Sequence, residues 1–455
     1  MKKIYLFLIL LLMAAPFAQA QKKTSTRQDS VKLYLQEMVQ EELVPGIILG
    51  VYENGKTQFY TYGVADKNKK STITENTVFE IGSITKTFTT LLAQMLVKEG
   101  KINWGDPVNK YLPDSLKELE KDGKKVTLRH LASHTAGLPK VPGNLQPKDN
   151  FDPYADYTVK NLYAYLQQVP LQTTPGEKIN YSNTGVALLG QVLENATGKT
   201  YQELVRERIL KPLQLKSAVF EGVNPNYTRA QGYLESEPVK DWSAKAIAPA
   251  GMLDMSAKDL MQFTLAHMGA NKTKLYPNMK QVLQVQKIMS NDKGLQGGLS
   301  LGWQVQVKDG DTLYWHNGGT GGFRSFTGFI PNQNKAVVIL TNSVYDADPV
   351  AAYALGFVPE LPKLRKAAKL PDDVLKQYTG VYQLAPNFNI TILHEGGQLK
   401  AQATGQPSIA IYPESETRFF MKVVDAELEF KKENGKVTSL VLHQGGRETT
   451  GKKIE

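Results

Sequence analysis

The strongest constraint on the fold is a change of texture near residue 357. Up to Phe357 the chain mixes helical apolar stripes with glycine-rich turns, and then "VPELPKLRKAAKLPDDV" brings prolines and basic residues without an aromatic side chain. That is the composition of a linker. Beyond it, "YTGVYQL", "FNITILHE", "LKAQATG", "SIAIYP", "RFFMKV" and "AELEFKKENGKVTSLVLHQ" are short alternating runs separated by Gly, Pro and Asn-Gly. Such runs predict strands, and Asn434-Gly435 predicts a tight hairpin. A length of 455 residues accommodates this division. The expected organisation is a main domain over 21–357, a linker over 358–372 and a small β domain over 373–455. There is no internal repeat and no low-complexity tract.

Residues 1–20 carry two lysines, a short apolar run and Ala18-Gln19-Ala20, the pattern of a secretory signal that leaves Gln21 as the first mature residue. The run is too short to span a bilayer, and no later segment approaches that length. The expectation is export across the inner membrane to the periplasm or outside, with no transmembrane anchor in the mature protein. Removing Lys2 and Lys3 lowers the formal charge from +10 to +8. The excess is spread rather than blocked, which suits anionic envelope surfaces and indicates no nucleic-acid site. With no cysteine in the chain, disulfides, a thiol nucleophile and thiolate metal sites are excluded. The chemistry must come from oxygen and nitrogen groups.

Three short segments could supply it. In "EIGSITKTFTTLLAQMLVKEG", Ile84, Phe88, Leu91, Leu92, Met95 and Leu96 form a helical stripe with Gly100 as its stop. Ser83 and Lys86 stand one turn apart at its start, where hydroxyls also serve as ordinary caps. Serine needs a base within hydrogen-bond reach, and a desolvated Lys86 three residues on meets that need. The helix start offers the Ser83 N–H to a developing oxyanion. In "TTPGEKINYSNTGVALLGQVLENATG", Tyr181, Ser182 and Asn183 precede a second apolar helix. They read either as a turn and cap or as a proton relay (Tyr181) beside an amide-binding Asn183. In "DTLYWHNGGTGGFRSFTGFIP", alternation before His316 predicts a strand whose glycines admit close backbone approach. Gly319 could give a second oxyanion N–H there.

Taken together and in this order, SITK, YSN and HNG resemble the motifs of the penicillin-recognising serine hydrolases. The branch is the one containing class C β-lactamases, DD-carboxypeptidases, D-aminopeptidases and related esterases. "LRHLASHTAGLP", "LKPLQL", "APAGMLDMSAKDLMQF" and "LSLGW" are similar as well, so the likeness covers Val31 to Phe357. It implies an α/β fold, an antiparallel sheet flanked by helices with an inserted helical subdomain, followed by a lipocalin-like β-barrel. It further implies that Ser83 is acylated, Lys86 is its proton partner, Tyr181 helps to deprotonate the serine and later the hydrolytic water, and Asn183 orients the substrate amide. His316, Asn317 and Gly318 stand where many members carry Lys-Thr-Gly. A lysine is a permanent cation for a substrate carboxylate, whereas histidine is mostly neutral at mildly alkaline pH. Arg324 is the candidate replacement, with a solvated strand charge as the alternative.

His-x-Gly tilts the expectation toward a peptidase or aminopeptidase acting on D-residue peptides or amides. A class C-like β-lactamase, an esterase and a non-catalytic penicillin-binding sensor are the alternatives. The expected partners are peptide or small-molecule substrates from peptidoglycan, or β-lactams, and the mechanism requires no metal or organic cofactor. Three other signals are discounted. "GLSLG" around Ser300 fits a nucleophile-elbow pattern but is followed by strand-like alternation rather than a helix. His130 and His134 have metal-pair spacing without the HExxH glutamate and break into a loop. "GGTGGF" lacks the βαβ setting of a nucleotide site.

Overall fold

The computed structural model describes residues 26–455 except 223, 291–295 and 407. The expected signal segment lies outside the described residues. The main domain is organised by a nine-stranded sheet that joins early and late parts of the chain. Its strands are β1 (Gly46–Glu53), β2 (Lys56–Asp66), β3 (Ser71–Thr72), β4 (Lys287–Ser290), β5 (Gln296–Leu299), β6 (Gln304–Lys308), β7 (Asp311–Gly319), β8 (Arg324–Ile330) and β9 (Lys335–Thr341), in spatial order β4-β5-β6-β7-β8-β9-β1-β2-β3. All neighbours are antiparallel, and the early and late halves meet where Ile47 to Tyr52 pair with Thr341 to Ala336.

The central strands are apolar on both faces because helices cover both. Successive side chains point to opposite faces of a strand. Leu49, Val51, Val337 and Ile339 pack on Val31, Leu35 and Met38 of α1 (Arg27–Gln40), and on Val350 and Ala351 of a helix at Asp348–Ala354. Ile48, Val338 and Leu340 lie on the face covered by a helix at Ala257–Met268, whose Phe263 links them to Phe88, Leu91 and Leu92 of α2 (Thr85–Lys98) in one core. The Phe88 and Phe263 rings stack at 3.8 Å. The expected stripe is thus the buried face of α2, except that Met95 lies at its half-buried edge. The helical subdomain inserted between β3 and β4 includes a helix at Asn183–Thr197, capped by the Ser182 hydroxyl and closed at Gly198 with φ 70°.

The C-terminal strands run Gly380–Ala385, Phe388–Glu395, Gln398–Ala403, Ile409–Pro413, Arg418–Phe420, Ala426–Glu433, Lys436–Gln444 and Arg447–Lys453. They form a closed antiparallel barrel, the last strand returning to pair with the first. Tyr378, Tyr382, Phe419, Phe430, Leu428 and Leu440 fill it as a separate core. The Asn434-Gly435 hairpin has both residues at positive φ, 49° and 78°, as an I′-type turn requires. The barrel is docked on the main domain: the Ala410 N–H donates to Glu235 Oε1 at 3.0 Å, and Lys422 Nζ reaches the carbonyls of Glu41 and Glu42 at 3.3 and 3.4 Å. Among the described residues, no helix is long and apolar enough to cross a membrane.

Candidate active site

Ser83 sits in a 3-10 turn, Gly82–Ile84, that runs directly into α2. The turn is placed by a two-stranded ladder just before it, Val78–Glu80 against Asp254–Ser256, and by the Ile81 N–H donating to Leu253 O at 3.1 Å. Gly82 has φ 51°, and a Cβ there would stand 2.8 Å from Gly319 N. A Cβ on Gly318 would stand 2.0 Å from Ile81 O. Glycine at both places lets the end of β7 close on the serine turn. The Ser325 hydroxyl holds that contact by donating to Ile81 O at 2.8 Å.

Lys86 Nζ lies 2.9 Å from Ser83 Oγ and 2.5 Å from Ala250 O. Its side chain is fully buried. Ala250 belongs to a short helix at Ala248–Gly251 that lies tightly on Asn183–Thr197, since a Cβ on Gly190 would stand 2.1 Å from Pro249 Cγ. The Thr89 hydroxyl fixes the same helix by donating to Pro249 O at 2.6 Å. Burial first, and the Lys140 charge second, push the Lys86 ammonium well below its ordinary pKa. A neutral amine that donates to Ala250 O keeps its lone pair for the Ser83 hydroxyl.

Tyr181 completes this cluster, with Lys86 Nζ 4.9 Å above its ring. Burial pushes its phenol up to about 12, against the pull of a hydrogen bond with Ser83. The Tyr181 loop is tied to the segment 134–140 by four bonds. His134 Nδ1 accepts from the Ser182 N–H at 3.1 Å, His134 O from the Asn180 N–H at 2.7 Å, Pro139 O from the Ser182 hydroxyl at 2.7 Å, and Lys140 O from the Asn183 N–H at 2.8 Å. The His134 ring also packs on the Tyr181 ring at 4.4 Å. His134 thus takes the loop role expected of it, directly behind the site. His130 is not its partner; it caps a different turn by accepting from the Thr127 N–H.

His316 departs from expectation. It is 2 % exposed, lies 6.4 Å from Tyr181 between ring centroids, and is absent from the cleft lining. Alternation along β7 separates it from Asn317, which does line the cleft. Burial is the main cause that lowers the His316 pKa to about 3. Its Nδ1–H donates to Asn317 O at 2.6 Å. A buried neutral ring cannot anchor a carboxylate, so a direct substrate contact is corrected to a place in the wall behind Tyr181.

The cleft in front of Ser83 has a volume of about 780 Å3 and brings together Ser83, Tyr181, Asn183, Asn317, Gly318, Gly319 and Arg324. Asn317 is already engaged, its Nδ2–H donating to Asp348 Oδ2 at 2.5 Å. Asn183 Oδ1 is buried without a hydrogen-bond partner. Arg324 donates from Nη1 to Phe323 O at 3.2 Å and Thr320 O at 3.4 Å; burial lowers its pKa, and the Asp346 and Asp348 charges oppose that only in part. Ser300 lies between β5 and β6 with no helix after it, and its hydroxyl donates to Trp303 O.

Sequence reading missed the rest of the wall. Lys140, Tyr154 and Trp242 also line the cleft. Behind Trp242, Arg229 reaches Glu80 at 3.3 Å, Asp241 at 2.9 Å, and Asp254. Glu80 also accepts from the Trp242 N–H at 2.9 Å. Burial and the neighbouring Asp254 charge hold the Glu80 carboxyl well above the usual range. The only sequence signal was position: Glu80 is three residues before Ser83, and Lys140 ends the "HTAGLPK" run.

Residues 31–358 match the profile of the Beta-lactamase family, and 364–453 match one described as a domain of unknown function (DUF3471). The chain therefore belongs to the Beta-lactamase family, a family of serine hydrolases. It is 30% identical over 359 residues to a β-lactamase of Pseudomonas fluorescens, covering 70% of this chain and 95% of that one. Penicillin-binding protein 4* of Bacillus subtilis is 24% identical and matches 89% of this chain and 93% of its own length. D-alanyl-D-alanine-carboxypeptidase/endopeptidase AmpH of Escherichia coli is 27% identical over 69% of this chain and 84% of its own. The octameric penicillin-binding protein homologue from Pyrococcus abyssi superposes with a TM-score of 0.64 over 94% of this chain and all of that one, at 24% identity. That likeness speaks for the fold, barrel included.

Proposed function

We propose that this protein is an exported serine hydrolase that cleaves peptides or related amides containing a D-residue through an acyl-enzyme on Ser83. The observation that carries the reading is the fully buried Lys86 amine 2.9 Å from Ser83 Oγ at the floor of a cleft. Neutral Lys86 takes the hydroxyl proton as Ser83 Oγ attacks the carbonyl carbon, and the N–H groups of Ser83 and Gly319 hold the oxyanion. Tyr181, a neutral phenol at physiological pH, passes the proton to the departing amine. Collapse of the tetrahedral adduct leaves the acyl group on Oγ. A water molecule, losing its proton to the same pair, then attacks the ester carbonyl and releases the acid, and Ser83 regains its proton. Asn183, with its unpartnered Oδ1, orients the substrate amide.

A peptidase reading is supported by the absence of a motif lysine and by the AmpH relative's name. The β-lactamase reading is the second, favoured by several relatives bearing that name. Both are separated by intact-mass spectrometry and chromatography with a penicillin, a cephalosporin and a D-alanyl-D-alanine peptide. Peptide cleavage with a long-lived penicillin adduct on Ser83 is expected. Rapid β-lactam turnover without an accumulating adduct would favour the second reading. Undiminished hydrolysis in a folded Ser83→Ala variant would sink both.

A further inference from the structure

Among the described residues, two cations line the cleft and no carboxylate does. They occupy opposite walls. Arg324 opens β8 beside Gly319, its register partner on β7. Lys140 stands on the helical side, where its carbonyl accepts from the Asn183 N–H. Their surroundings differ as well. Arg324 is half-buried, donates to two backbone carbonyls, and has Asp346 and Asp348 behind it. Lys140 is exposed, and among the described residues no carboxylate lies within ion-pair distance of it. Other cations near this rim are matched, as Lys240 is by Asp149 at 2.8 Å and Arg229 by its three acids. Neither cation is ion-paired among the described residues, but Arg324 is held by backbone carbonyls with acids nearby, whereas Lys140 is exposed, and Lys86 feels its charge.

We propose that Lys140 is a specificity residue that binds a carboxylate on the acyl half of the substrate. This rests on the acyl-enzyme reading above and takes the amide that Asn183 orients to be the one on the acyl side, next to Lys140. A flexible ammonium at the mouth of a cleft suits a point contact with a terminal or side-chain carboxylate. Tyr154 and Trp242, which meet edge to face at 5.4 Å, give the chain between the carboxylate and the scissile carbonyl an apolar wall.

The test uses two thioesters with one thiol leaving group, N-acetyl-D-alanyl and N-succinyl-D-alanyl, the second carrying an added acyl-side carboxymethyl group. Wild type should favour the succinyl compound by about tenfold in kcat/KM, chiefly through KM. Raising ionic strength should shrink that preference. Lys140→Met should abolish it, bringing the succinyl-to-acetyl ratio of kcat/KM to about one whatever happens to the overall rate, and Lys140→Glu should reverse it. Equal use of both thioesters by wild type, or a preference unchanged in Lys140→Met, would overturn the inference while Ser83-dependent turnover leaves the hydrolase reading standing. Turnover that survives Ser83→Ala would overturn both.

Discussion

Two buried polar clusters flank the serine turn, and they meet the problem of desolvation in opposite ways. In the first, Lys86, Tyr181, His134 and His316 have no carboxylate within hydrogen-bond reach among the described residues. Burial drives each toward its uncharged form, the lysine well below its ordinary value, both histidines to about 3 and the phenol up to about 12. In the second, Arg229 stays ionised amid Glu80, Asp241 and Asp254. The three acids outnumber the one cation, so a buried carboxyl keeps its proton. Neutral groups with matched donors and acceptors can move protons; a paired cation holds shape. The first cluster reaches Ser83, the proposed nucleophile, through Lys86, and the second supports the Trp242 wall.

The comparison breaks most readily at Lys86. Lys86→Met should lower kcat/KM by about 10²- to 10⁴-fold, the ordinary worth of a positioned base, as steady-state hydrolysis would record. A loss below tenfold would remove the lysine from the chemistry. Next in size, Arg229→Met leaves its acids without a cation and should destabilise the fold by about 3–5 kcal/mol in urea unfolding. A change under about 1 kcal/mol would mean that the ion cluster is not structural. In the same assay Lys86→Met should be neutral or stabilising by about 1 kcal/mol, since removing a desolvated amine at a working site commonly trades activity for stability. The contrasting signs of the two methionine variants sharpen the distinction. The smallest effect belongs to Glu80→Gln. A carboxyl raised on folding binds its proton more tightly in the native state, so its contribution is present at acid pH and lost as pH rises above the ordinary carboxylate range. Glu80→Gln should flatten the fall in stability from pH 5 to pH 8, and parallel curves for the two proteins would contradict that assignment.

The sequence exposed the parts of the site that local spacing encodes. Ser83 and Lys86 share one helical turn, Asn183 opens a helix behind a serine cap, and the alternation before His316 marks β7. The fold was legible for similar reasons: a stripe for α2, an Asn-Gly turn in the barrel, and a linker without aromatics. The linker's ties were not, because Arg365 and Lys366 pair with Glu427 and Glu41 through contacts only the folded chain creates. The same holds for Glu80 and Arg229, which lie 149 positions apart. His316 misled because a motif position carries no statement of which way a strand residue faces. Lys140 went unread because one exposed lysine after a proline is unremarkable until a cleft without acids forms around it.

The most direct test of the account is the pH dependence of Ser83 acylation, followed as the rate of covalent mass gain with a β-lactam under single-turnover conditions. With Lys86 neutralised by burial, the rate should reach half its maximum well below the ordinary lysine value of about 10.4, and the adduct should map to Ser83. A half-maximum at about 10.4, or an adduct on any other residue, would contradict it.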